Sequence, residues 1–111
     1  MSKPARTTTR RSVRTREFIK AFEQLPSEIK SLAERIYEIF CAHPDDERLR
    51  TNSLEDSKKA KHRDGSYSVQ IGYRYRAIYV IDRGPNNDEA EQYCWYWIGS
   101  HESYNNFIGS K

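Results

Sequence analysis

The sequence is short of sulfur and of long apolar runs. Among its 111 residues are two cysteines, one methionine and five glycines, and the mean hydropathy is −0.98. Cys41 and Cys94 lie far apart and match no metal or redox spacing, so two reduced thiols are expected. No apolar stretch is long enough for a signal peptide or a membrane span, which predicts a cytoplasmic protein that does not act at a membrane.

The motifs of several enzyme classes are also missing. There is no phosphate-binding P-loop, no glycine-rich dinucleotide turn and no nucleophile elbow. His43, His62 and His101 are scattered, and no carboxylate pair lies at ligand spacing with them. We therefore expect neither a metal site nor a cofactor.

Aromatic residues are abundant and argue for a folded chain. Eight Tyr, four Phe and two Trp are more than a disordered chain of low hydropathy would carry. The length fits a single domain over residues 1–111, in which residues 1–6 are expected to form a flexible basic tail.

Positive charge is concentrated locally, although the formal net charge is only +3. Residues 1–16 hold six of the 19 Lys and Arg residues and no acid, so the other 13 are set against 16 Asp and Glu. Such patches suit a nucleic-acid backbone, with a solvated surface as the alternative. Beyond the N-terminal arm, the candidate RNA-binding residues are Lys58, Lys59, Lys61, Arg63 and Arg74.

Two helices are predicted in the first half of the chain. A short strand is predicted around Ser12–Arg16. Thr15 can cap a first helix, which ends at Leu25–Pro26. Ser27 is the predicted N-cap of a second, amphipathic helix that stops near His43–Pro44. Its apolar positions recur at helical spacing and are Ile29, Leu32, Ala33, Ile36 and Phe40.

Three strands are predicted in the second half, after a long polar loop over 45–65. From Tyr67 the apolar period is two, Gly72–Tyr73 is the expected hairpin turn, and a further turn over Arg83–Asp88 leads to a last strand over Gln92–Ile98. Short connections favour an antiparallel meander. The predicted fold is α+β, with two N-terminal helices packed on a small antiparallel sheet in the order β-α-α-β-β-β.

Arg76, His101 and Tyr104 are the candidate catalytic residues. Histidine can exchange a proton near neutral pH, arginine offers a bidentate fork to phosphate oxygens, and tyrosine can stack on a base or donate its phenolic proton. Together they could cleave RNA without a metal, provided that the strand register brings them together, which the sequence does not fix. Ordinary surface roles are the alternative for each.

The segments YSVQIGYRYRAIYVID and WYWIGSHESYNNF resemble the C-terminal half of RelE/ParE superfamily toxins of bacterial type II toxin–antitoxin systems. REFIKAFEQLPSEIK is similar to the helical entry of the same toxins, and the likeness covers about residues 13 to 108. The resemblance implies a compact antiparallel sheet with two N-terminal helices and a small antitoxin as partner. RelE members cleave mRNA on the ribosome without a metal, whereas ParE members poison DNA gyrase.

The resemblance also assigns roles to single residues. Arg76 matches the strand arginine that contacts the scissile phosphate, His101 a catalytic His or Arg, and Tyr104 the C-terminal tyrosine. Ser68 and Gln70 stand where well-studied RelE members have lysines. The general base would then come from His101, from the lysine run or from the ribosome.

Three functions follow from the resemblance. The first is a ribosome-dependent, metal-independent mRNA endoribonuclease that blocks translation, with the ribosome and mRNA as partners. The second is a ParE-type inhibitor of DNA gyrase without nuclease activity. The third is a catalytically inactive homologue that only binds an antitoxin.

Overall fold

The computed structural model describes residues 11–54, 61–82 and 92–109. The predicted basic tail over 1–6 and the turn over Arg83–Asp88 lie outside these ranges. None of the helices in the described ranges is both long and apolar enough to cross a membrane.

The first strand and the two N-terminal helices are present. Strand β1 spans Arg11–Arg14, helix α1 spans Arg16–Glu23 and helix α2 spans Ser27–Ala42. The predicted cap of α1 is confirmed, because the Thr15 hydroxyl accepts the Phe18 backbone N–H at 3.0 Å. The predicted cap of α2 is wrong: Ser27 is the first helical residue and Pro26 is the N-cap.

The segment predicted as a long loop contains two short elements. A 3₁₀ turn, Glu47–Leu49, begins where the Asp46 side chain accepts the Arg48 backbone N–H, and it buries Leu49 completely. Strand β2, Asn52–Ser53, pairs antiparallel with the next strand. Two residues are too few to show an apolar period, which is why the sequence pattern did not predict this strand.

The remaining strands form the predicted meander. They are β3 (Ser66–Ile71), β4 (Tyr75–Asp82) and β5 (Gln92–Ser100). The hairpin between β3 and β4 turns at Gly72, whose φ of +63° is in the left-handed region that glycine tolerates. A short helix that was not predicted, α3 (His101–Phe107), follows β5 directly.

The sheet is mixed rather than purely antiparallel. Its strand order is β1-β5-β4-β3-β2, and β1 runs parallel to β5, with Val13 opposite Cys94. The α+β class is thus confirmed, while the all-antiparallel sheet is corrected at β1 and extended by β2. Parallel strands need a long crossover connection, and here α1, α2 and the other strands lie between β1 and β5 in sequence.

The core between α2 and the sheet is aromatic. Phe40 of α2 is 1% exposed, and its ring packs edge-on against Tyr79, Tyr93 and Trp95 at centroid distances of 5.3, 4.7 and 4.9 Å. Edge-to-face arrangements of this kind add to the free energy gained from burying apolar surface. These contacts fix α2 over the β4–β5 pair.

A β-bulge in β5 lies where the opposite face of the sheet contacts α3. Trp95 pairs with Tyr79 and Trp97 pairs with Ile78, so Tyr96 is the extra residue of the bulge. Both Tyr96 and Trp97 contact Phe107 of α3, at ring distances of 6.3 and 5.2 Å. Helix α3 therefore covers the sheet face that α1 and α2 leave open.

Replacing Phe40 by Ala should destabilise the protein by about 3–5 kcal/mol, because a cavity would open among the three aromatic rings. Urea unfolding measures this change as a lower midpoint. Ile19→Ala is the matched control, since Ile19 is 37% exposed and its truncation should cost less than about 1 kcal/mol. Equal midpoints for the two variants would contradict the described core.

Candidate functional site

The register between β4 and β5 determines which residues lie together at the candidate site. Arg76 pairs with Gly99, so β5 ends beside the β3–β4 hairpin and α3 begins there. The His101 backbone N–H donates to the Arg74 carbonyl. Ser100 caps α3, because its hydroxyl accepts the Ser103 backbone N–H at 3.1 Å. The hairpin and the first turn of α3 are thus joined at one end of the sheet.

Arg76 is half-buried and held by its own hairpin. Its Nη1 donates to the carbonyl of Tyr75 at 3.0 Å and, more weakly, to that of Tyr73 at 3.5 Å. Its guanidinium carbon lies 5.8 Å from the centroid of the Tyr104 ring, which is within cation–π range. No carboxylate in the described ranges pairs with Arg76, so its charge is available for an anion.

Tyr104 contacts both of the other predicted catalytic residues. The exposed His101 ring stacks beside it at a centroid distance of 6.1 Å. The Tyr104 ring is buried and its hydroxyl donates to Ser68 Oγ at 3.0 Å. The structure therefore brings Arg76, His101 and Tyr104 together, and it places Tyr104 where it can orient the other two rather than receive a base on its ring.

Gly99 makes room for this packing. A Cβ at Gly99 would lie 2.9 Å from the Trp97 indole, closer than real Cβ contacts. Trp97 in turn lies 6.1 Å from the Tyr104 ring and 5.2 Å from the Phe107 ring. Glycine at position 99 thus lets Trp97 support α3 directly behind the site.

The predicted RNA-binding residues differ in their exposure and in their contacts. Lys58 and Lys59 lie outside the described residues. Lys61 is exposed and its backbone N–H donates to the Phe107 carbonyl at 2.8 Å. Arg74 is exposed on the hairpin, where it has no ion pair with a described residue.

Arg63 has a structural role that the charge pattern did not indicate. Its guanidinium pairs with Asp82 at 3.0 Å and lies 5.6 Å from the centroid of the Tyr96 ring. Its backbone N–H donates to the Tyr96 hydroxyl at 2.9 Å. Part of its charge is therefore neutralised, and the segment before β3 is fastened to β5.

Cys94 is placed as a packing residue. Its side chain is buried in β5, and burial, together with the nearby Asp82 carboxylate, raises the pKa of the Cys94 thiol. A raised pKa disfavours the thiolate, which is the nucleophilic form. Across residues 11–54, 61–82 and 92–109, no three His, Cys, Asp or Glu side chains are close enough to hold a metal ion.

Sequence reasoning missed the part that Ser68 plays. The apolar period of two puts Ser68 on the face opposite Val69 and Ile71, which lie in the core. Because α3 was not predicted, nothing was expected to cover that face. Ser68 is only 2% exposed because Tyr104 packs over it. The available signal was Ser100 as an N-cap followed by Tyr104 and Phe107 at helical spacing.

Sequence comparison finds no matching family model and no matching curated protein. Among solved structures, the archaeal RelE–RelB complex from Pyrococcus horikoshii is similar, with a TM-score of 0.58 and 18% identity over 83% of this chain and 94% of that chain. A YoeB/ParE toxin from Agrobacterium tumefaciens is similar with a TM-score of 0.61 and 12% identity, over 82% of this chain and 98% of that chain. The toxin–antitoxin complex RelBE2 from Mycobacterium tuberculosis is similar with a TM-score of 0.60 and 18% identity, over 84% of this chain and 99% of that chain.

These likenesses define the fold. The chain has the α+β fold of RelE/ParE-type toxins, which confirms the predicted resemblance at the level of structure. Identities of 18% or less show the fold alone, so the roles of single residues stay predictions.

The hydrogen bond between Tyr104 and Ser68 can be tested with a double-mutant cycle. Tyr104→Phe and Ser68→Ala should each destabilise the protein by about 1–2 kcal/mol, because each leaves one buried hydroxyl without its partner. The double variant removes both hydroxyls, so a coupling of about 1 kcal/mol is expected from urea unfolding. Strictly additive losses would mean that the two hydroxyls do not interact.

Proposed function

We propose that the protein is the toxin of a type II toxin–antitoxin system and cleaves mRNA on the ribosome. Support comes mainly from one observation: Arg76 and His101 both contact the Tyr104 ring at the end of the sheet, at 5.8 and 6.1 Å from its centroid. Because the arginine and the histidine share this neighbour, we infer that they act on the same phosphodiester group. The toxin fold of the neighbours is consistent with this function.

The reaction is a transfer of the phosphoryl group within the RNA. The 2′-oxygen loses its proton and attacks the adjacent phosphorus, the bond to the 5′-oxygen breaks, and that oxygen leaves with a proton. The products are a 2′,3′-cyclic phosphate and a 5′-hydroxyl. His101 exchanges one of the two protons, and Arg76 stabilises the negative charge that develops on the phosphate oxygens.

Tyr104 acts by orientation in this mechanism. Its hydroxyl is engaged by Ser68 at 3.0 Å, and its ring is in contact range of both His101 and Arg76. Lys61 and Arg74 are exposed and would contact phosphates of ribosomal RNA or mRNA, as would Lys58, Lys59 and, in part, Arg63. The reaction as written requires no metal or cofactor.

A small antitoxin is the proposed protein partner. Two of the similar structures were solved as complexes of a RelE-type toxin with its antitoxin. Expression of the chain alone should therefore arrest growth, and co-expression of the antitoxin should restore it. Harmless expression without any antitoxin would favour an inactive homologue.

Inhibition of DNA gyrase is the second candidate function. Ser68 and Gln70 are neutral where well-studied RelE members carry lysines, and Ser68 is buried beneath Tyr104. The site therefore carries less positive charge than those members do. A gyrase inhibitor without chemistry of its own would not need that charge.

Cleavage can be tested by primer extension on an mRNA that is being translated in a purified system. His101→Ala should lower the cleavage rate by about 10²–10⁴-fold, because the proton exchange is lost. His43→Ala is the matched control, since His43 is an exposed residue at the end of α2, and it should cleave like the wild type. Equal cleavage by His101→Ala would refute the assignment of His101.

The same experiment separates the two candidate functions. With naked RNA in place of translated mRNA, the wild type should cut little, because the ribosome is the proposed partner. If the wild type leaves translated mRNA intact, the endonuclease proposal fails. Inhibition in a gyrase supercoiling assay that is equally strong with His101→Ala would then support the second candidate.

A further inference from the structure

A surface cleft of about 480 Å³ lies at the β3–β4 hairpin, and one of its lining residues, Gln70, pairs with Arg76. It is lined by the side chains of Ile36, Arg48, Arg50, Gln70 and Tyr73, together with Gly72. We propose that this cleft binds one nucleotide of single-stranded RNA, with the base on the Tyr73 ring and a phosphate at Arg50. The proposal rests on the proposed function, because this nucleotide would flank the one that is cut at Arg76.

Tyr73 is unusual in its exposure. Its relative exposure is 91%, far above that of Ile19 and Tyr37, the other exposed large hydrophobic residues of the described ranges, at 37% each. It stands at the tip of the β3–β4 hairpin, and its carbonyl accepts the weaker hydrogen bond from Arg76 at 3.5 Å. An exposed aromatic face on a fixed turn is a stacking platform for an unpaired base.

Arg50 is the available cation of the cleft. Arg48 is already bound to Asp46 by hydrogen bonds of 3.0 and 2.9 Å, and this partner lowers the pKa of the Asp46 carboxyl to about 2. Arg50 has no ion pair with any residue in the described ranges. Its φ of +49° is in the left-handed region, which non-glycine residues seldom adopt.

Gln70 connects the cleft to the candidate catalytic residues. It pairs with Arg76 across the β3–β4 ladder, and in an antiparallel pair such residues share a face. Gln70 also lines the cleft together with Arg50 and Tyr73. An RNA strand with its scissile phosphate at Arg76 could therefore place the neighbouring nucleotide in the cleft.

Acidic residues limit the path of the RNA beyond Arg50. A second polar cleft is lined by Asp45, Asp46 and Glu47 as well as by Arg50 and Gln70. Carboxylates repel phosphates, so the strand is expected to end its contact at Arg50 rather than to continue past it. The subsite therefore has room for one nucleotide and a boundary on its far side.

The test is a binding measurement that does not depend on cleavage. A fluorescein-labelled RNA hexanucleotide with 2′-O-methyl groups cannot be cut, and its fluorescence anisotropy reports binding to the full chain at low salt. Tyr73→Ala should weaken binding about tenfold, since stacking contributes about 1–3 kcal/mol per base. Arg50→Gln should weaken it several-fold and reduce its salt dependence by about one phosphate contact.

Two control variants make the result specific. Tyr73→Trp retains an aromatic face and should bind within about threefold of the wild type. Arg35→Gln removes an exposed arginine from α2, outside the cleft, and should leave the affinity unchanged. Circular dichroism of each variant verifies the fold.

The outcomes separate this proposal from the cleavage proposal. No binding by the wild type, or equal binding by wild type, Tyr73→Ala and Arg50→Gln, would overturn the subsite, even if translated mRNA is cut. If the expected losses occur but translated mRNA stays intact, the RNA subsite stands and the cleavage proposal fails. If both proposals hold, Tyr73→Ala should raise the half-saturating ribosome concentration for cleavage without lowering the maximal rate.

Discussion

The packing of Phe40 against three aromatic rings of the sheet is the contact on which the rest of the fold depends. Tyr79 belongs to β4, whereas Tyr93 and Trp95 belong to β5, so one side chain of α2 touches both strands. Protein interiors are close-packed, and a helix seated in this way cannot slide without opening a void. The two strands whose ends carry the candidate site are thereby held in one position.

The charged guanidinium of Arg76 is held by uncharged groups, whereas in an ordinary surface ion pair it would be held by a carboxylate. Arg76 donates to backbone carbonyls of its own hairpin and lies over the Tyr104 ring, while no carboxylate of the described residues pairs with it. Carbonyl oxygens and a ring face hold a guanidinium in place without cancelling its charge. Ser68 provides a neutral anchor beneath the ring. A guanidinium held in this way keeps its charge in a fixed position, which is what the proposed stabilisation of the transition state would use.

The sequence predicted those elements that have a long apolar period. Helix α2 has five apolar positions at helical spacing, and β3 and β4 show a clear period of two, so their types and approximate ends could be read directly. Helix α3 has seven residues and β2 has two, and such short elements are stabilised by contacts that are distant in the chain. The parallel pairing of β1 with β5 is likewise a tertiary property.

The candidate site could be predicted only in its residue types. Arg76, His101 and Tyr104 were identifiable from chemistry and from the family resemblance, but their proximity depends on the β4–β5 register. The role of Ser68 depends on α3, and the ion pair of Arg63 with Asp82 joins residues 19 positions apart. Local patterns do not encode such pairings.

The bulge at Tyr96 has a consequence for how this chain can change over evolutionary time. Substitutions around it alter packing by degrees, because side chains of similar volume can replace one another. Removing the extra residue would let Trp97 follow Trp95 directly and still pair with Ile78, so the later register of β5 would be unchanged. Gly99 would still stand opposite Arg76, and the loss would be the contacts of the Tyr96 side chain with Arg63, Ser66 and Phe107. The bulge should therefore absorb a one-residue difference in length between Trp95 and His101 without changing the geometry of the site.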